Sequence, residues 1–174
     1  MIIYITGAPG VGKTHILSNL LIKGYDLDMI FDNNCKKYST YELVQEGCKK
    51  DIEEIIKNSA NIVFVGYQGK EQLFFTPDIV ILLIRTDYEY YYRQKLIKDF
   101  KFLCLHYNEY ENIIMKTNIN ELSSYFTYNE IVKMRSLQEF IDWVQLVNKL
   151  IIDDFPNAKN YTFSEVIEYI NNVK

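Results

Sequence analysis

The strongest constraint on the fold lies near the start of the chain. There an Ile-rich apolar run, MIIYIT over residues 1–6, stops at Gly7 and gives way at Lys13 to a helical pattern. Periodicity does not separate a short buried strand from a helix, but length and β-branching favour a strand. Beyond Lys13, Ile16, Leu17, Leu20 and Leu21 fall on one helical face, and Gly24 stands where a helix would stop. Two later runs, NIVFVG at 61–66 and DIVILLIR at 78–85, are also nearly continuous in apolar residues. Strands buried on both faces of a parallel sheet read this way, whereas half-exposed antiparallel strands alternate. Strands separated by helical segments imply an α/β domain.

The remaining elements follow from local signals. Residues 25–31 (YDLDMIF) read as a second short strand. A capping box, Ser39 with Glu42, opens a helix striped by Val44, Cys48, Ile52, Ile55 and Ile56. Residues 87–116 read as helical although tyrosines blur the period, and residues 117–135 are polar and irregular. A second capping box, Ser136 with Glu139, precedes a helix carrying Phe140, Ile141, Val144, Val147 and Ile151, which Pro156 ends. A strand at 160–163 and a helix from Ser164 complete the pattern. No repeat or Pro/Gly linker interrupts it, so residues 1–174 are expected to form one domain.

Composition narrows the class. The chain has 174 residues with 19 Lys and Arg against 23 Asp and Glu, a formal charge of −4. That length suffices for a full core without disulfides or metals. The acidity argues against extended binding to nucleic acid, which calls for a basic face. The 15 Tyr and 10 Phe accompany many Lys, Asn and Ile, a bias attributed to coding composition rather than to a base-stacking surface. Against the Lys-rich background Arg85, Arg93 and Arg135 stand out, since a planar guanidinium suits phosphate. Cys35, Cys48 and Cys104 are an odd set at long spacings, which points to a reducing compartment. No run approaches the roughly 20 apolar residues that span a bilayer. The expectation is an intracellular, cytoplasmic protein with no membrane partner.

Residues Gly7, Ala8, Pro9, Gly10, Val11, Gly12, Lys13 and Thr14 match G-x-x-x-x-G-K-[ST] in full, between a strand and a helix as the motif requires. The glycines let successive backbone N–H groups curl inward around phosphate oxygens. Lys13 would supply a charge to the β and γ phosphates, and the Thr14 hydroxyl would ligate Mg2+. The motif implies a nucleoside triphosphate, with ATP and Mg2+ as the expected pair. It does not specify the reaction.

With that loop and this order of elements, the chain resembles the small P-loop kinases, the group of nucleotide kinases, shikimate kinase and gluconate kinase. The resemblance implies a three-layer α/β/α P-loop NTPase fold with a five-stranded parallel sheet and an Arg-bearing helical lid, here at residues 87–135. It also lends meaning to Asp26-Leu27-Asp28, since shikimate and gluconate kinases carry a similar D-x-D pair. Alternation along a strand would place Asp26 and Asp28 on one side. Asp28 is the candidate for orienting the acceptor hydroxyl, taking its proton and sharing the metal with Thr14. A solvated acidic loop including Asp32 is the plainer alternative.

The run ending at Gly66 lacks the strand-end acid on which motor and switch ATPases depend for Mg2+. In kinases similar to shikimate kinase a Gly here lets backbone approach the substrate, so Gly66, Tyr67 and Gln68 join Asp26 and Asp28 as acceptor-binding candidates. A simple turn at Gly66 is the alternative. Arg93 matches the first lid Arg in type and distance, but the second expected position is Ile97. Arg135 is the candidate returning lid Arg, and surface ion pairing is the alternative for both. Arg85 is read as a strand end, and His15, Trp143 and the Tyr cluster as packing residues. The combined expectation is an ATP- and Mg2+-dependent phosphotransferase, a kinase with catalytic residues Lys13, Asp28, Arg93 and Arg135, acting on a small acceptor, a nucleoside or nucleotide. The competing readings are a polynucleotide 5′-hydroxyl kinase and a nucleotide-binding regulatory protein without efficient transfer.

Overall fold

The apolar runs become strands of one parallel sheet. In the computed structural model, which describes residues 1–103, 113–121 and 136–173, the strands are β1 (Ile2–Thr6), β2 (Gly24–Asp26), β3 (Ile62–Val65), β4 (Ile79–Leu83) and β5 (Lys159–Tyr161). Their order is β2-β3-β1-β4-β5 and every pairing is parallel. Ile3 of β1 lies opposite Val63 on one side and Ile79 on the other. Tyr4, Ile5, Phe64, Ile81 and Leu83 are fully buried, which explains why these strands show no alternation. Each such side chain contributes about 1.5–3 kcal/mol by leaving water. Helices flank the sheet, giving the three-layer α/β/α arrangement.

Those helices are α1 (Lys13–Leu17), α2 (Leu27–Cys35), α3 (Tyr41–Lys57), α4 (Tyr88–Leu103), α5 (Leu137–Asp154) and α6 (Phe163–Asn171). The chain divides into two compact units, Met1–Ile84 with Val147–Lys174, and Arg85–Leu146. The sheet lies wholly in the first unit, and α5 passes from the second into the first. Within the second unit, Tyr91 and Tyr92 of α4 are buried and pack on Phe140 at centroid distances of 5.0 and 5.3 Å. Residues 104–112 and 122–135 lie outside the described residues, and with them Cys104, His106 and Arg135. No helix among the described residues is long and apolar enough to cross a membrane.

Three boundaries differ from expectation. The strand anticipated at 25–31 ends at Asp26, and Leu27 begins a helix instead. Its apolar residues, Leu27, Ile30 and Phe31, are spaced for a helix, and the Asp26 carboxylate accepts from the Asp28 backbone N–H at 3.0 Å as an N-cap. Asp26 and Asp28 are therefore a cap and a first-turn residue, not strand neighbours on one face. Helix α1 stops at Leu17 rather than near Gly24. The Ser18 hydroxyl and Asn19 amide both donate to the His15 carbonyl, offering the backbone an alternative to another helical turn. Thr40, not Ser39, caps α3, accepting from the Leu43 N–H at 3.4 Å. The second box formed as expected. The Glu139 N–H donates to the Ser136 hydroxyl, and the Ser136 N–H donates to the Glu139 carboxylate.

Candidate functional site

The order of the strands brings the ends of β1 and β3 side by side, where α/β sheets form their ligand crevices. From β1 the chain enters the loop at residues 7–14. The described residues with φ in the left-handed region are its three glycines, Gly7, Gly10 and Gly12. At Gly7 an added Cβ would stand 2.7 Å from the Leu83 carbonyl oxygen, so the loop is threaded against the end of β4 and no side chain fits. Gly12, at φ +110°, turns the chain into α1. Ala8 and Val11 are buried and anchor the loop from below.

Lys13 is only 9% exposed. Its Nζ donates to the Gly7 carbonyl at 2.7 Å and the Ala8 carbonyl at 3.2 Å, so the ammonium is folded back across the loop that precedes it. The Thr14 hydroxyl donates to Asp26 Oδ2 at 2.6 Å. Thus the carboxylate bonded to Thr14 is that of Asp26, whereas Asp28, expected to share a metal with Thr14, is bonded to Gln68. Starting a helix at Leu27 turns Asp26 toward α1 and Asp28 away from it. Hard oxygen donors on Thr14 and Asp26 suit Mg2+, which takes one or two protein oxygens and completes its shell with water and phosphate. Among the described residues no group of three or more His, Cys, Asp or Glu is placed to hold a metal ion.

Asp28 meets a different partner. Its Oδ1 accepts from the Gln68 side-chain amide at 3.1 Å, and Gln68 Oε1 in turn accepts from the Tyr67 N–H at 3.0 Å. The side-chain amide of Gln68 lies directly over Gly66, in the space a Cβ would need, which gives Gly66 its packing reason. The structure therefore brings together Asp28, Gly66, Tyr67 and Gln68. A residue that sequence reasoning missed holds them in place. Tyr4, buried in β1, donates its hydroxyl to the Gln68 carbonyl at 2.9 Å. Burial pushes its phenol well above the ordinary tyrosine range, so it stays a neutral donor. A signal existed, since a lone hydroxyl in an aliphatic buried strand needs a partner.

Asp28 and Gln68 open onto a cleft of about 410 Å³ whose walls come from α2, α3 and the segment at residues 71–75. Cys48 lines it, its thiol pushed up chiefly by burial and next by Asp51, and so is an inert wall. Sequence gave no sign of this cleft, because its walls are far apart along the chain.

The arginines behave differently from the expectation. Arg93 is 9% exposed and its guanidinium donates to Glu89 from Nε at 3.1 Å and from Nη2 at 2.7 Å. Nη1 donates to the carbonyls of Ile114 and of Thr117, the latter at 2.9 Å. The fork joins α4 to residues 114–117 inside the second unit, so the partners of Arg93 in this structure are structural ones. Ile97, where a second lid Arg was sought, is buried in the same packing. Arg85 pairs with Asp87 through two donors at 2.8 and 2.5 Å and lies over the ring of Tyr90. Its hydrogen bonds, and after them its positive charge, hold the Asp87 carboxyl below the usual range. His15 stacks on Phe163 at 5.3 Å, as a packing residue would. No protein-family model matches the chain, and no curated protein matches it.

Proposed function

We propose that this chain is an ATP- and Mg2+-dependent phosphotransferase of the small P-loop kinase type. The observation that carries the reading is the pairing of a complete phosphate loop with two separated carboxylates on one helix start. Asp26 lies 2.6 Å from the Thr14 hydroxyl, and Asp28 faces a cleft of substrate size. Inward N–H groups of residues 7–14 would bind the triphosphate. Lys13 would exchange its loop carbonyls for β and γ phosphate oxygens. Thr14 and Asp26 would hold Mg2+, which when bound neutralises charge on the phosphates.

Asp28, with one oxygen fixed by Gln68, would orient an acceptor hydroxyl in line with the γ phosphorus. As the acceptor oxygen bonds to phosphorus and the bond to the β,γ-bridging oxygen breaks, ADP leaves. The hydroxyl proton passes to Asp28 and then to water. The test is ADP release over a panel of nucleosides, nucleoside monophosphates and hydroxy acids, with Lys13→Ala as the blank. Release that depends on an acceptor, and falls with Asp28→Asn, supports the reading. Hydrolysis indifferent to acceptor and to Asp28→Asn counts against it.

One observation favours a second reading, a nucleotide-binding regulatory protein without efficient transfer. Four hydrogen bonds hold the Arg93 guanidinium to Glu89, Ile114 and Thr117 inside the second unit. Tight ATP binding with no transfer to any member of the panel would select it.

A further inference from the structure

The cleft beside Asp28 has an electrostatic character that bears on which acceptor it takes. Among its fourteen described lining residues are two acids, Asp28 and Glu71, three glutamines, Gln45, Gln68 and Gln72, and no Lys, Arg or His. The remaining lining is apolar or aromatic, including Phe31, Phe74 and Phe75. Phe75 is braced from behind by Phe64 at 4.6 Å and by Tyr4 at 6.1 Å, so this wall is set by the core and not by a loose loop. Lys49, Lys70 and Lys159 line a second cavity that shares Leu73, Phe74 and Phe75 with the first.

A phosphate or carboxylate entering such a cleft would lose water, gain no cation from the described lining and face two carboxylates. An uncharged ring with hydroxyls would meet aromatic faces, amides that both donate and accept, and a carboxylate placed to take a hydroxyl proton. The volume, about 410 Å³, falls within the roughly 300–1,000 Å³ of small-molecule sites.

We infer, on the phosphotransferase reading, that the acceptor is an uncharged, ring-bearing alcohol of the nucleoside type, and that nucleoside monophosphates and hydroxy acids are excluded by charge. Sequence left nucleoside and nucleotide equal, and the charge of the lining separates them.

The experiment titrates calorimetrically, with Mg2+ and a non-hydrolysable ATP analogue present, four nucleosides (adenosine, guanosine, cytidine and thymidine), their 5′-monophosphates and gluconate. At least one nucleoside is expected to bind tenfold or more tightly than its own monophosphate, with gluconate silent, an interval of about 1.4 kcal/mol or more. Glu71→Lys, a change at an exposed side chain, is expected to tighten the monophosphate about tenfold and leave the nucleoside within about twofold. A monophosphate that binds the wild-type protein as tightly as its nucleoside, or no binding by any nucleoside, overturns the inference. ADP release measured in matched mixtures with ATP reports separately on catalysis. Selective nucleoside binding without ADP release overturns phosphotransfer and leaves the charge preference of the cleft standing.

Discussion

Lys13 and Arg93 are buried to the same extent, each 9% exposed, and each donates to backbone carbonyls. Their surroundings give these similar facts opposite meanings. Two of the carbonyls that accept from Lys13 belong to Gly7 and Ala8, in the same short loop, so exchanging these two for phosphate oxygens would break bonds within that loop alone. Arg93 reaches carbonyls 21 and 24 residues away and also grips Glu89. Moving its fork to a ligand would strip partners from both sides of the second unit. Burial of a cation is therefore no guide to function by itself. What matters is whether its bonds can be exchanged locally.

The largest effect should come from Lys13→Ala. Transfer to any acceptor should fall about 10²- to 10³-fold, the cost of deleting one preorganised charge at a transferring phosphoryl group. The unfolding free energy should change by about 1 kcal/mol, since the two bonds to Gly7 and Ala8 are local. Turnover and urea denaturation on the same samples check both halves. A Lys13→Ala protein that keeps full turnover would break the comparison at its first limb.

Arg93→Ala should do the reverse. It should lower the stability of the second unit by about 2–3 kcal/mol, because two carbonyls lose their donors. The Glu89 contribution is small, its side chain being 56% exposed. Affinity for ATP should stay within about twofold of wild type. Arg93→Lys should restore little stability, since an ammonium cannot reproduce the fork. A loss of transfer with stability intact would instead return Arg93 to the catalytic role expected from sequence.

The same contrast explains what was legible in the sequence. The turn at residues 7–14 was readable because its requirements are local: glycines for the positive φ values, then a lysine and a threonine at fixed spacing. The sheet was readable because strands buried on both faces have to be apolar throughout. Asp26 and Asp28 were found but given the wrong geometry, since a short apolar stretch with two acids fits a strand and a capped helix equally well. The role of Arg93 was not readable, because it depends on carbonyls more than 20 residues away that carry no side-chain signal. The charge of the cleft beside Asp28 was hidden for the same reason.

Asp26→Asn sharpens the comparison within one residue, because Asp26 both caps α2 and faces Thr14. Asn caps a helix about as well as Asp, so stability should hold within about 0.5 kcal/mol. The lost charge should appear as a rise of about tenfold in the Mg2+ concentration needed for half-maximal transfer. Asp26→Ala should show that metal effect and a further loss of about 1 kcal/mol from the missing cap. Equal Mg2+ dependence in wild type and Asp26→Asn would sink the assignment of Asp26 to the metal.

Tyr4→Phe gives the smallest effect and has a pH signature of its own. At neutral pH, losing the hydrogen bond to the Gln68 carbonyl should cost about 1 kcal/mol. Burial lifts the phenol in the folded chain above its unfolded value of about 10. The hydroxyl therefore favours the folded state fully below about pH 10 and loses that preference as pH rises further. One unit above the unfolded value, wild type should have given up about 1.4 kcal/mol that Tyr4→Phe never had. Tyr91 and Tyr92 are raised by burial too, but they are common to both proteins and cancel in the difference. Urea denaturation at pH 7 and pH 11 should then show wild type ahead at the first and level with or behind Tyr4→Phe at the second. A gap that stays constant across that range would mean that Tyr4 is not a buried neutral donor, and that the Gln68 loop is held by packing alone.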